Sequence, residues 1–143
     1  MTPPRVLLVD DEVEFTSTLA ARMRMRGLEV DVAESGIEAL QRVEETVYDA
    51  IILDVAMPGM DGIETLKRLL GRDPDLQVML LTGHATVQTG VEAMRSGAIE
   101  LLEKPANLEE ILAHVERARK SSDHVKEKRL VERIDDILER KGW

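Results

Sequence analysis

The sequence predicts an α/β protein, a doubly wound parallel sheet with helices on both faces. Three observations carry that expectation. Val6 to Val9, Ala50 to Leu53 and Val78 to Leu81 are continuously apolar, as central parallel strands covered on both sides must be. Segments of helical length and period lie between them. The resulting strand–helix unit repeats five times over residues 5 to about 119, and such alternation builds a parallel sheet joined by right-handed crossovers.

The elements follow in order. After the first strand, Phe15, Leu19 and Met23 recur every four residues and give the first helix one apolar face. Gly27 stands where that helix should stop. Glu29-Val30-Asp31-Val32-Ala33 alternates polar and apolar residues, the pattern of an edge strand. Ser35 with Glu38, Asp61 with Glu64, and Asn107 with Glu110 each pair a cap residue with a Glu three positions later, marking three helix starts. Val87, Val91 and Met94 set the face of a helix over 86–96, which Gly97 ends, and Ile99 to Leu102 is the fifth strand. The last helix of the alternation covers 108–118. No internal repeat or low-complexity segment is present.

At 143 residues the chain has the size of one domain. Apolar residues make up 43% and aromatics only 2% (Phe15, Tyr48, Trp143), so aliphatic side chains must fill the core. The formal net charge is −9. An acidic surface repels nucleic acid and anionic lipid, so no direct nucleic-acid or membrane partner is expected. Absence of cysteine excludes disulfides, thiol catalysis and cysteine-based zinc sites. No apolar stretch approaches the roughly 18–20 residues of a membrane span, and the N-terminus lacks the apolar run of a signal peptide. A cytoplasmic protein is expected.

In a doubly wound sheet, chemistry gathers at the C-terminal ends of the strands, beside the point where the strand order reverses. Asp10 and Asp11 end the first strand, Asp54 the third and Thr82 the fourth, and Lys104 follows the fifth. The fold would bring all five to one rim. Carboxylates ~4 Å apart repel by about 4 kcal/mol at an effective dielectric near 20, so a counter-charge is needed. Oxygen donors at a partly hydrated site favour a hard divalent cation, and Mg²⁺ suits few carboxylates plus waters. One carboxylate can then stay ionised and attack phosphorus, with Lys104 and Thr82 receiving the phosphoryl oxygens. Taken singly, each residue has a plainer reading. Asp10-Asp11-Glu12 can cap a helix, Asp54 can open a turn, Thr82-Gly83 can cap, and Lys104-Pro105 can punctuate the surface. His84, His114 and His124 lack ligand spacing and read as solvated, and the seven Met residues read as core filler.

Val9-Asp10-Asp11-Glu12, Leu53-Asp54-Val55-Ala56-Met57-Pro58-Gly59-Met60-Asp61-Gly62, Leu81-Thr82-Gly83-His84-Ala85 and Glu103-Lys104-Pro105 stand in that order. Together they resemble the motifs of response regulator receiver domains of two-component systems, over residues 5 to about 119. The resemblance implies a flavodoxin-like, chemotaxis-regulator-like fold with strand order 2-1-3-4-5, and a receiver at 4–119 followed by a helical extension or linker at 120–143. It implies that Asp54 accepts a phosphoryl group from a sensor histidine kinase. Mg²⁺ would be held by Asp11, Asp54 and the backbone carbonyl of Ala56, with Asp10 acting through a water. Thr82 would be the switch hydroxyl, Lys104 the phosphate-binding ammonium, and the Lys104-Pro105 bond cis. Such a protein is not an enzyme in the turnover sense; it promotes only its own phosphorylation and dephosphorylation. The family usually places an aromatic at the position of Leu101, and often a Tyr at that of Ile99, so an inward-turning ring is unavailable here; either Leu101 repacks as a switch residue beside Thr82, or coupling runs mainly through the loop after the fourth strand and the helix over 86–96. An aspartyl-phosphate phosphatase of the haloacid-dehalogenase type would need an acid where Ala56 stands. A flavodoxin-like nucleotide carrier would need a Gly-rich loop after the first strand.

Residues 121–143 differ in character. Six basic and six acidic residues balance there, so the whole excess of −9 lies in residues 1–120. Leu130, Ile134, Ile137 and Leu138 form an apolar stripe at helical spacing. A helix folded back on its own domain, pairing with a second chain, and a linker to a further domain are all compatible with that pattern. A downstream protein would dock on the face formed by residues 86–118, which is also a candidate homodimer face. Thr82-Gly83-His84 and Glu103-Lys104-Pro105 resemble receivers attached to transcription-activating ATPases, although no output domain is legible in these residues.

Overall fold

A computed structural model describes residues 2–55, 61–83 and 86–140. Five strands and five helices alternate: β1 (Arg5–Val9), α1 (Val13–Met25), β2 (Glu29–Ala33), α2 (Gly36–Glu45), β3 (Ala50–Asp54), α3 (Gly62–Arg72), β4 (Val78–Thr82), α4 (Val87–Arg95), β5 (Glu100–Glu103) and α5 (Leu108–Arg140). All strand pairs are parallel, and the sheet order is β2-β1-β3-β4-β5. The chain therefore reverses its lateral direction between β1 and β3, where the strands' C-terminal ends open a crevice.

The pleat of the central strands divides the core into two layers. Leu7, Val9, Ile51, Leu53, Val78 and Leu80 face the side covered by α2, α3 and α4, against Leu40, Leu66 and Leu69. Val6, Leu8, Ile52, Met79 and Leu81 face the other side, against Leu19 and Met23 of α1 and Ile111 and Val115 of α5. Period-two alternation of wholly apolar strands is what lets one strand serve both layers. Full burial of side chains such as Leu66 and Leu80 contributes about 1.5–3 kcal/mol each.

The helix boundaries follow local chemistry. The Ser35 hydroxyl accepts from the Glu38 N–H at 3.1 Å, and the Asp61 carboxylate from the Glu64 N–H at 2.8 Å. Asn107 accepts from Glu109 and Glu110 at 2.8 and 3.4 Å. Each bond satisfies an orphan donor of a first turn. Thr82 does not cap α4; Thr86 does, through the Thr89 N–H at 3.0 Å. Glu12 is the N-cap residue of α1 but makes no side-chain cap bond. Gly27 and Gly97 end α1 and α4 at φ of +88° and +100°, which L-residues with a Cβ adopt only at a cost.

Three expectations are corrected. The C-terminal segment is not folded back on the domain. α5 runs without a break from Leu108 to Arg140, so no change of secondary structure marks residue 119. Its contacts with its own domain reach Lys126, 3.9 Å from Asp49, and Arg129, which pairs with Asp73 and Asp75. Beyond these, Leu130, Val131, Ile134, Ile137 and Leu138 are exposed. His114 is half-buried on α5, 4.0 Å from Glu100, rather than solvated. Of the described methionines, Met23 and Met79 are core, whereas Met25 and Met94 are exposed. No helix among the described residues is long and apolar enough to cross a membrane.

Candidate functional site

The crevice beyond the ends of β1, β3, β4 and β5 gathers charge that the rest of the core excludes. Asp10 and Asp54 are each 4% exposed, and Thr82 is 2% exposed. Asp10 is the residue after β1, Asp54 the last of β3 and Thr82 the last of β4; apolar burial of each strand carries its final polar residue to the rim. Lys104 follows β5, where its backbone N–H donates to the Thr82 carbonyl at 2.7 Å. The Lys104-Pro105 peptide is cis.

The Lys104 ammonium is the centre of this group. It donates to Asp10 Oδ2 at 2.7 Å, lies 3.4 Å from Glu12 Oε1 and 4.0 Å from Asp54 Oδ2, and sits 4.2 Å from the centroid of the Phe15 ring. Burial works to lower its pKa, but the hydrogen bond and charge of Asp10, together with the charges of Asp54 and Glu12, outweigh it. Lys104 thus titrates above its ordinary value of 10.5. The second Asp10 oxygen, Oδ1, accepts from the Glu12 N–H at 3.0 Å, which holds the β1–α1 turn and leaves both oxygens of that carboxylate engaged.

Carboxylate oxygens of Asp10, Glu12 and Asp54 lie within 4.8 Å of one another. Among the described residues, two nearly buried carboxylates and the exposed Glu12 meet the Lys104 ammonium, so carboxylates outnumber that cation at the rim, a surplus of negative charge. An all-oxygen donor set with that surplus fits a hard dication such as Mg²⁺.

The sequence-predicted residues divide as follows. Asp10, Asp54 and Lys104 are brought together, and Thr82 ends the strand between Asp54 and Lys104. Asp11 is exposed, and its carboxylate does not belong to the close group, in which Glu12 stands instead. Ala56, named for its carbonyl, lies outside the described residues. Leu101 is partly buried against the α2–α3–α4 layer.

Three further residues shape the site. Glu12 and Phe15 both touch the ammonium; Glu12 was legible only as a capping residue and Phe15 only as part of a helical stripe. Gly62, buried at the start of α3, is the third. A Cβ there would stand 2.1 Å from the Asp54 carbonyl oxygen, and its N–H donates to the Val55 carbonyl at 2.8 Å. Only glycine lets α3 start so close to the end of β3, a constraint that the cap signal of Asp61 and Glu64 does not reveal.

The family profile for the response regulator receiver domain matches residues 6–116. The chain belongs to the response regulator receiver family. Over 113 residues this receiver is 39% identical to the transcriptional regulatory protein ZraR of Escherichia coli (strain K12), an alignment covering 79% of this chain and 26% of ZraR. It is 38% identical over 115 residues to the transcriptional regulatory protein PrrA of Mycobacterium leprae, covering 80% of this chain and 49% of PrrA. The receiver thus spans about a quarter of one relative and half of the other. Among solved structures, the beryllofluoride-activated NtrC4 receiver domain dimer superposes with a TM-score of 0.77 at 38% identity, over 82% of this chain and 98% of that one. A CheY-like receiver domain protein from Methanospirillum hungatei JF-1 shares the fold, with a TM-score of 0.80 at 24% identity over 85% of this chain and 98% of that one.

Proposed function

We propose that this receiver accepts a phosphoryl group on Asp54 from a phosphohistidine of a sensor kinase in the cytoplasm. The observation that carries the reading is the Lys104 ammonium held 2.7 Å from Asp10 and 4.0 Å from Asp54 at the strand-order reversal. A carboxylate oxygen of Asp54 attacks phosphorus; the P–O bond forms as the P–N bond to the kinase imidazole breaks, and the imidazole nitrogen keeps the bonding pair. Lys104 and the Thr82 hydroxyl meet the transferred oxygens, where charge accumulates. Lys104 is fit for this because its elevated pKa keeps it cationic across the physiological range. Receivers do no turnover chemistry on an external substrate beyond forming and losing this acyl phosphate.

Asp11, Asp54 and the carbonyl of Ala56 would hold Mg²⁺, with Asp10 acting through a water. The ion supplies positive charge that lets Asp54 remain ionised beside its neighbours and screens it from the incoming phosphate. Glu12 adds a further carboxylate at the mouth of the same pocket.

Phosphorylation brings about −1.5 to −2 charges to the rim. Those charges draw Thr82 and Lys104 towards Asp54 and reweight the conformations of the loop after β4 and of α4. The face of α4, β5 and the first turns of α5 carries the change to a partner. Val87, Val91 and Met94 are exposed on α4, so that face has apolar groups to offer. Leu101, packed inward and 3.5 Å from where a Cβ on Gly90 would lie, leaves coupling to Thr82, the β4–α4 loop and α4.

ZraR and PrrA are transcriptional regulatory proteins of which this chain matches only part. That favours a second reading compatible with the first, in which this receiver controls a transcription-activating output joined to α5.

Incubation with acetyl phosphate and Mg²⁺, followed by intact mass, tests the acceptor. The expected result is one added phosphoryl group, acid-stable and base-labile, absent in Asp54→Asn and when Mg²⁺ is chelated. An adduct formed at the ordinary rate in Asp54→Asn would place the acceptor elsewhere.

A further inference from the structure

Phe15 is the only phenylalanine of a chain whose core is built almost wholly from aliphatic side chains. It does not lie deep among them. It is partly buried on α1, against the layer of Leu19, Met23 and Ile52, and its ring centroid stands 4.2 Å from the Lys104 ammonium. The Lys104 side chain is only 13% exposed, so little water is at hand to replace a partner that the ammonium loses.

Ring and ammonium close a circuit through Asp10. Asp10 Oδ2 accepts from Lys104 at 2.7 Å, and Oδ1 accepts from the Glu12 N–H at 3.0 Å. That second bond anchors the first turn of α1, which the Thr16 hydroxyl tightens by donating to the Glu12 carbonyl at 2.9 Å. The same turn carries Phe15 back to the ammonium. One carboxylate thus fixes both the cation and the ring that faces it.

We propose that Phe15 is a positioning residue for phosphoryl transfer, its ring face holding the Lys104 ammonium within reach of Asp54. This role rests on Asp54 being the acceptor. An aromatic face attracts a cation through its quadrupole. It adds no formal charge to a rim where, among the described residues, carboxylates already outnumber the cation. The competitor is Glu12, 3.4 Å from the ammonium and with its side chain 64% exposed. Without the attraction of the ring, the ammonium follows Glu12 outward, away from Asp54 at 4.0 Å. An aliphatic side chain of like size would fill the space but would not hold the charge.

Because the chain has a single phenylalanine, growth on fluorinated phenylalanines changes Phe15 alone. Para-fluoro, trifluoro and pentafluoro rings keep nearly the same shape while draining the negative face stepwise. Two quantities are measured for each: the urea midpoint without phosphodonor or divalent cation, and the rate of phosphoryl uptake from acetyl phosphate with Mg²⁺. The midpoint is expected to fall at each step in the wild type and to stay level in Lys104→Met, since the cycle separates the ring–ammonium pair from packing. Uptake is expected to fall in the same order, by about tenfold at the pentafluoro ring. Equal falls in both backgrounds would reduce the ring to packing and overturn the proposal, as would uptake that keeps its rate across the series. Failure of the acceptor reading looks different: the unaltered protein then gains no phosphoryl group on Asp54.

Discussion

Lys104 is where the energetics of the site concentrate. Its ammonium offsets Asp10 and Asp54, each of which is nearly buried. Lys104→Met removes the ammonium from beside both carboxylates, and removing one partner from a buried charge pair costs about 3 kcal/mol or more. The expected outcome is a lower urea midpoint at pH 7 without divalent cation, with part of the loss recovered on adding Mg²⁺. Because folding raises the Lys104 pKa above 10.5, the stabilisation is complete below that value and lost as pH climbs through the raised one. Wild type and variant should accordingly keep a constant gap from neutral pH to about pH 10 and converge only above it. Equal midpoints at pH 7 would show that the carboxylates do not depend on Lys104.

Tyr48 offers a cleaner titration, since the chain has one tyrosine. Burial, then the hydrogen bond its hydroxyl donates to Asp31 at 2.7 Å and the charge of that carboxylate, push its pKa up to about 12. The protonated phenol is the form the fold favours. Its contribution to stability is whole below pH 10 and disappears as pH rises through about 12. Phenolate absorbance should show one titration near 12 in the wild type. Asp31→Asn should move it downward without reaching 10, because burial is the larger cause. A wild-type titration at 10 would contradict the buried, hydrogen-bonded phenol.

At the scale of elements, the junction of β3 and α3 is the tightest point. Gly62→Ala forces a Cβ to within 2.1 Å of the Asp54 carbonyl unless backbone moves. Overpacking of this kind typically costs 1–3 kcal/mol. The same shift displaces the acceptor strand's last residue, so phosphoryl uptake from acetyl phosphate should slow along with the loss of stability. Gly71→Ala, on the same helix with nothing within 4 Å of its Cβ, is the control and should leave uptake unchanged while raising stability by about 0.5–1 kcal/mol, the ordinary helix preference for Ala over Gly. Uptake at the wild-type rate in Gly62→Ala would separate the junction from the site.

The elements also show what the residue pattern can reveal. The five strands were legible because continuous apolar runs and one alternating run admit few other uses; their ends move by a single residue at most. Asp10, Asp54 and Lys104 were legible because each sits where a strand gives out. Glu12 and Phe15 were not, since their role depends on the pitch of α1 relative to β5, which no local spacing encodes. The course of the C-terminal helix was not legible either. A balanced, amphipathic stretch is equally good against its own domain or against another helix, and only the geometry of α5 leaving the sheet decides between them.

Across the whole molecule, order is graded along α5. Ile111, Val115 and Ala118 are buried against the sheet, whereas every residue from Asp123 to Arg140 except Val125 is exposed. Local opening costs little where few apolar contacts are lost. Hydrogen exchange on the dilute protein should find amides of 130–140 far less protected than those of 111–118. Uniform protection along the helix at concentrations where the chain is monomeric would mean that the far end is held by contacts other than those described.

The unbroken run of α5 also has a mechanical consequence. From Arg129, its last tie to the domain, to Arg140 the axis advances about 16 Å at 1.5 Å per residue, while its base is packed on the sheet through Ile111, Val115 and Ala118. A tilt of about 10° of that arm sweeps the tip through an arc of about 3 Å. Anything fastened at the far end would thus register, magnified, a displacement beneath the sheet too small to alter the core.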